Sequence, residues 1–183
     1  METATASKKV QSEATSPSHS LESILSAYRN LDYRKVLVPH DGLEMSDKAL
    51  AHAMALSKKI SDAQIVLLNV IDYVDNIPPS LTLAYMREDA EKGKESLRND
   101  IESGARHILE QRVEYCKKAG ITQTTFKIAY GKAADEIIRI AEEMECDVIV
   151  MASSRMPSFI RALGSNARKV VDNARKPVLI IHE

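Results

Sequence analysis

An α/β fold built on an open parallel sheet with helices on both faces follows from three observations. Strand-like and helix-like segments alternate along the 183-residue chain. Several strand-like segments are unbroken apolar runs, the pattern of strands covered on both sides. The helix-like segments between them confine their apolar residues to one stripe, as helices laid against a sheet do.

Residues 1–19 are rich in Ser, Thr, Lys and Glu and nearly devoid of large apolar side chains, the composition of a disordered tail. Residues 20–30, "SLESILSAYRN", set Leu21, Ile24, Leu25 and Tyr28 at helical spacing and predict a short amphipathic helix. A single domain is expected over residues 33–183. Its first strand carries Val36, Leu37 and Val38 and is stopped by Pro39 and Gly42. The next segment, "SDKALAHAMALSKKI", reads as a helix with Ser46 as N-cap and Asp47 in the first turn. "AQIVLLNVID" is a second buried strand. After Pro78 and Pro79 a long charged stretch is mostly helical and ends at Gly120, although Gly93 and Gly104 argue against one unbroken helix. "TQTTFKIAYG" alternates in part and predicts a more exposed third strand. "KAADEIIRIAEEMEC" is an amphipathic helix, "DVIVMAS" a fourth buried strand, "GSNARKVVDNAR" another helix and "PVLIIHE" a final strand.

Composition narrows the partners. Lys and Arg number 25 against 26 Asp and Glu, a formal charge of -1, so no global field draws the chain to nucleic acid or to an anionic membrane. No apolar run approaches the roughly 20 residues of a membrane span, and the N-terminus lacks a secretory h-region. A cytoplasmic protein is expected. Cys116 and Cys146 have no CxxC spacing and no nearby histidine, so neither a structural metal nor a redox site is expected.

In an open parallel sheet, ligands bind beyond the carboxyl ends of the strands. The residues to inspect are Pro39, His40 and Asp41 after the first strand, Asn69 and Val70 at the second, and Met151, Ala152, Ser153, Ser154 and Arg155 after the fourth. The following helix begins near Gly164, Ser165 and Asn166, where free N–H groups and the helix dipole favour an anion. Asp41 has two readings that stay open: an acceptor for an adenine amino group or ribose hydroxyl, or a turn and cap residue. His40 reads as a turn histidine, since no nucleophile with an acidic orienter can be matched to it. No catalytic residue is assigned.

The succession "KVLVPHDG", "IVLLNVID", "YGKAADEIIRIAEEMECDVIVMAS" and "LGSNARKVVDNARKPVLIIHE" resembles the universal stress protein family over roughly residues 33–183. The resemblance implies a five-stranded, Rossmann-like parallel sheet of the adenine-nucleotide-binding type and a homodimer. Members that bind ATP carry G-x2-G-x9-G-[ST] after the fourth strand. Here Gly164 and Ser165 match the final pair, Met151 the adenine-lining position, and Asp41 and Val70 the base- and ribose-facing positions. The first glycine is replaced by Ala152, and the second, counted back from Gly164, by Ser154. With Ala152 aligned the loop is also one residue short. Ser153, Ser154, Ser158, Arg155 and Arg161 offer substitute donors for phosphate.

The expectation is a stress or signalling protein that binds ATP, AMP or a related phosphate ligand as a homodimer, with Mg²⁺ accompanying ATP. The alternative is a ligand-independent homodimeric interaction module acting on unidentified protein partners. A weak ATPase is the most that enzymatic activity is expected to amount to. The apolar final strand, Pro177 to Glu183, lies at a sheet edge in the family-like order. Such an edge needs a cover, which a symmetric dimer or, alternatively, the chain's own N-terminal helix from Ser20 would supply.

Overall fold

The computed structural model describes residues 21–27, 32–72, 90–153 and 163–182. The chain divides into two units, residues 1–31 and 32–183. In the first, helix α1 (Leu21–Ala27) falls within the predicted helical segment, while the expected disordered tail lies outside the described residues.

The second unit runs β1 (Lys35–Pro39), α2 (Glu44–Ser57), β2 (Gln64–Ile71), α3 (Ala90–Lys118), β3 (Gln123–Tyr130), α4 (Ala133–Glu143), β4 (Val148–Ala152), α5 (Ser165–Asn173) and β5 (Val178–Ile181). The five strands form one sheet in the order β3-β2-β1-β4-β5, with every neighbouring pair parallel.

The apolar runs have a direct structural reason. Side chains alternate between the faces of a strand. Val36, Val38, Ile65, Leu67, Val148 and Val150 pack with Leu50 and Met54 of α2 and Leu109 and Cys116 of α3. Their neighbours Leu37, Val66, Leu68, Ile149 and Met151 pack on the opposite side with Ile137 and Ile140 of α4 and Ala167 and Val170 of α5. Both faces are thus core, and truncating a fully buried side chain such as Leu37 to Ala is expected to cost about 2–5 kcal/mol. At the lower end of the sheet, β1 and β4 are joined reciprocally. The Lys35 N–H donates to Asp147 Oδ2 and the Asp147 N–H to the Lys35 carbonyl, both at 2.8 Å.

Two local expectations are corrected. Helix α3 is continuous over Ala90–Lys118, through both glycines. Burial of Leu97, Leu109 and Cys116 on the sheet offsets the roughly 1 kcal/mol helix-propensity cost of each glycine. The helix ends as anticipated at Gly120 (φ +94), where Gly120 N–H bonds Lys117 O and Ile121 N–H bonds Cys116 O, a Schellman cap. Helix α2 starts at Glu44 with Leu43 as N-cap, so Ser46 sits inside the first turn. Asp41, two residues upstream of Leu43, accepts the Leu43 N–H and the Ser46 hydroxyl, so the Ser46 side chain is tied to the preceding turn and caps no first-turn N–H.

The outer strands β3 and β5 are more exposed than the three inner ones, and Leu179 of β5 is 38% exposed. Among the described residues no helix is long and apolar enough to cross a membrane.

Candidate functional site

Strand order reverses at β1. The chain moves outward to β2 and β3 on one side, then returns to place β4 and β5 on the other. Connections leaving the carboxyl ends of β1 and β4 diverge above opposite faces of the sheet and leave a crevice between them. A cavity of about 520 Å³ lies there. Pro39, His40 and Asp41, Val70, Met151 and Ala152, and Gly164, Ser165 and Asn166 all line it, drawn from four separate segments.

Ser153 lies beneath the lining. It is 3% exposed, and its hydroxyl accepts the Gly164 N–H at 3.1 Å, tying the end of β4 to the start of α5. Its own N–H donates to Ile181 O. Ser153 therefore faces the helix start, as a phosphate-loop residue should, but spends its hydroxyl on the backbone. Ser154 and Arg155 lie outside the described residues.

Sequence inspection missed Ala133 and Ile137, which line the cavity from the start of α4. The signal was available: α4 also begins at a strand's carboxyl end, that of β3, whereas only the ends of the first, second and fourth strands were considered. Leu43 and, from the first turn of α2, Glu44, Met45 and Ser46 also line the cavity, with Leu68 and Asn69 of β2 and Ala167 of α5.

Three helices present their N-termini around this cavity, and their charges differ. The first turn of α2 contains Glu44 and Asp47, and that of α4 Asp135 and Glu136; α5 has no acid there. Gly164, its N-cap, makes no side-chain cap bond, and the first-turn N–H groups of a helix have no intrahelical acceptor. Acids in the first turns of α2 and α4 already complement their dipoles, leaving α5 as the end where an anion gains most.

The wall after β1 is densely bonded. Asp41 Oδ1 accepts the Leu43 N–H at 2.9 Å and the Ser46 hydroxyl at 2.7 Å, which ties the turn to the start of α2. The turn role of Asp41 is thus carried by Oδ1, and among the described residues Oδ2 takes no such bond. The His40 carbonyl accepts from Asn69 Nδ2 at 2.8 Å, and its N–H donates to Leu68 O at 2.8 Å. Gly42 follows with φ +88, the left-handed region that favours glycine, and a Cβ there would sit 3.1 Å from Ile108 Cδ1.

The His40 side chain is fully buried. Its Nδ1 accepts the Gly42 N–H at 3.1 Å, and Nε2 lies 3.0 Å from Asp47 Oδ1. A backbone N–H can only donate, so Nδ1 carries no proton and the proton sits on Nε2, directed at Asp47. Arg112 of α3 grips the same carboxylate through two parallel bonds, Nε to Oδ1 and Nη2 to Oδ2, each 3.0 Å. Burial holds the imidazole below its ordinary range despite the hydrogen bond and charge of Asp47. Burial pushes the Asp47 carboxyl upward, but bonds from Arg112 and His40 outweigh it and hold it below the usual carboxylate range.

Residues 32–182 match the family model described as the universal stress protein family. The chain belongs to the universal stress protein family. It is 30% identical over 162 residues to universal stress protein MJ0531 of Methanocaldococcus jannaschii, covering 88% of each chain. It is 31% identical over 154 residues to universal stress protein G of Escherichia coli O157:H7, covering 81% of this chain and 99% of that one. The solved structure of MJ0577 from the same archaeon superposes with a TM-score of 0.65 at 25% identity, over 83% of this chain and 97% of that one. More distant solved structures share the fold, among them a universal stress protein in complex with cAMP (TM-score 0.59, 20% identity, 82% of this chain and 98% of that one). Among the described residues, no cluster of three or more His, Cys, Asp or Glu side chains could hold a metal ion.

Proposed function

We propose that this universal stress protein binds an adenine nucleotide, or a related ligand bearing phosphate, in the cavity between the ends of β1 and β4, and that occupancy modulates its contacts with protein partners. The carrying observation is the coincidence of a cavity of about 520 Å³ at the point of strand-order reversal with an N-terminus, that of α5, free of first-turn acid. The volume is within the ordinary range for ligand sites, roughly 300–1,000 Å³. The donor set suits the ligand's two ends: Met151, Val70 and Ile137 offer apolar contact to a base, Asp41 Oδ2 an acceptor, and the first turn of α5 donors for phosphate. The fold accommodates cAMP in one distant relative, which is compatible with this assignment.

A homodimer joined through β5 is part of the same proposal. No strand of the described residues pairs with the outer side of β5, and Leu179 and Val171 nearby are exposed. A cytoplasmic location accords with the absence of a membrane-crossing helix among the described residues.

One observation favours the second reading, an interaction module without ligand. Asp41 Oδ1 and the Ser153 hydroxyl, both candidates for ligand contact, are committed to the protein's own turns. Isothermal titration of the folded full chain with AMP, cAMP and ATP, the last with and without Mg²⁺, separates the two. Saturable binding of any of them supports the first reading; heat traces indistinguishable from dilution would leave the module.

A further inference from the structure

Asp47 and Arg112 are not among the residues lining the ligand cavity, yet Asp47 bonds the histidine that is, and Arg112 bonds Asp47. They border a second hollow, about 390 Å³, between α2 and α3. The Asp47 side chain is 43% exposed and Arg112 23%, so solvent reaches this end of the chain of bonds, whereas the His40 ring has no exposure of its own.

We propose that Asp47 and Arg112 are positioning residues for the cavity and make its occupancy acid-sensitive: they hold His40 as the neutral Nε2–H tautomer, the state in which Nδ1 accepts the Gly42 N–H and keeps residues 40–42 in place. The proposal rests on the nucleotide reading for its ligand, and on geometry alone for its mechanism. A protonated ring has N–H groups at both nitrogens. Nδ1–H would then oppose the Gly42 N–H, and the turn would lose the bond that sets its path beside the cavity.

The two partners act in opposite directions. The charged groups that bear on His40 are Asp47 from α2, Arg112 from α3 and Asp41 from the turn itself. Asp47 and Asp41 favour the imidazolium, while Arg112 and burial disfavour it. Arg112 also occupies both oxygens of Asp47, so the carboxylate that orients the ring is largely neutralised against charging it. Asp47 fixes the tautomer, and burial, with a smaller share from Arg112, keeps the ring from becoming a cation. A carboxylate alone beside a buried histidine would do the first and undo the second.

The test combines ¹⁵N NMR of the His40 ring and hydrogen exchange of the Gly42 amide with titration calorimetry against AMP between about pH 5 and pH 8, on the full chain. In the unsubstituted protein the proton is expected on Nε2, and AMP affinity is expected to fall with the same midpoint as ring protonation and Gly42 deprotection. Arg112→Ala is expected to move that midpoint up by about one pH unit, and Asp47→Asn to move it down. Arg112→Lys, which keeps the charge but loses the fork, should return the midpoint towards that of the unsubstituted protein. A merely structural role would not produce shifts of opposite sign. A proton found on Nδ1, or midpoints in Arg112→Ala and Asp47→Asn that coincide with the original, overturns the proposal. So does Gly42 exchange, or AMP affinity where AMP binds, that is indifferent to ring protonation. Should AMP bind at no pH, the nucleotide reading fails separately, and the ring and Gly42 signals still decide the relay.

Discussion

The wall of the cavity that follows β1 is held by side chains from three elements, Asn69 of β2, Ser46 and Asp47 of α2, and Arg112 of α3. The wall that follows β4 is held, among the described residues, by one side-chain hydrogen bond, from Gly164 N–H to Ser153. The first wall is a scaffold whose polar groups are mostly paired with one another. The second keeps the donors of a helix start facing the cavity. On the proposed reading, preorganisation falls to the first wall and phosphate contact to the second, so substitutions in the first should disturb both folding and affinity and those in the second mainly affinity.

The sharpest way to break this division is Gly164→Leu. Gly164 has φ −56, which any residue tolerates, so the substitution fills the cavity without straining the backbone. Affinity for adenine nucleotide is expected to fall by about two orders of magnitude with the melting temperature nearly unchanged, measured by calorimetry and thermal denaturation. A matching loss of stability would mean that the second wall is also scaffold.

Asp47→Ala is expected to lower unfolding free energy by about 1–2 kcal/mol in denaturant titration, the modest figure reflecting the exposure of Asp47. Acid should act on the same wall. The folded pKa of His40 lies below its unfolded value, so its contribution is present above the unfolded value near 6.5 and is lost as pH falls toward the folded one. Asp47, also depressed, loses its contribution only below about pH 4. Unfolding free energy should therefore decline between pH 7.5 and pH 5.5, and His40→Asn should flatten that decline.

Ser153→Ala removes the single side-chain tie of the second wall and is expected to cost about 1 kcal/mol by thermal denaturation. The smallest effect sharpens the contrast in charge. Ser165→Asp gives α5 the first-turn acid that α2 and α4 already have, and should weaken AMP about threefold while leaving adenosine affinity unchanged.

Much of the fold was legible because burial on both faces writes itself into the chain as runs such as Val36 to Val38 and Ile65 to Leu68. The cavity was legible for a related reason: Pro39 and Met151 stand at the carboxyl ends of strands and Gly164 just precedes a helix, each at a boundary visible in the sequence. What stayed hidden was pairing across distance. Arg112 stands among charged residues that read as a solvated face, and nothing local links it to Asp47, 65 positions earlier. The start of α2 was misplaced because Ser46, a residue type that favours caps, turns its hydroxyl to Asp41 in the preceding turn and not to the backbone of its own helix. Continuity of α3 through Gly93 and Gly104 is a tertiary outcome that propensity alone opposes.

Strands that are apolar on both sides carry little information about alignment, because a slip of one residue exchanges one apolar side chain for another. Between β1 and β4 the bonds joining Lys35 and Asp147 supply that information. They sit at the end of the sheet opposite the cavity, and a one-residue slip there would carry Pro39 and His40 about 3.3 Å past Met151 and Ala152. Asp147 thus serves as the zero mark of a ruler whose far end is read at the binding site, and errors in assembling the sheet would surface as misfit in a cavity that this carboxylate never touches.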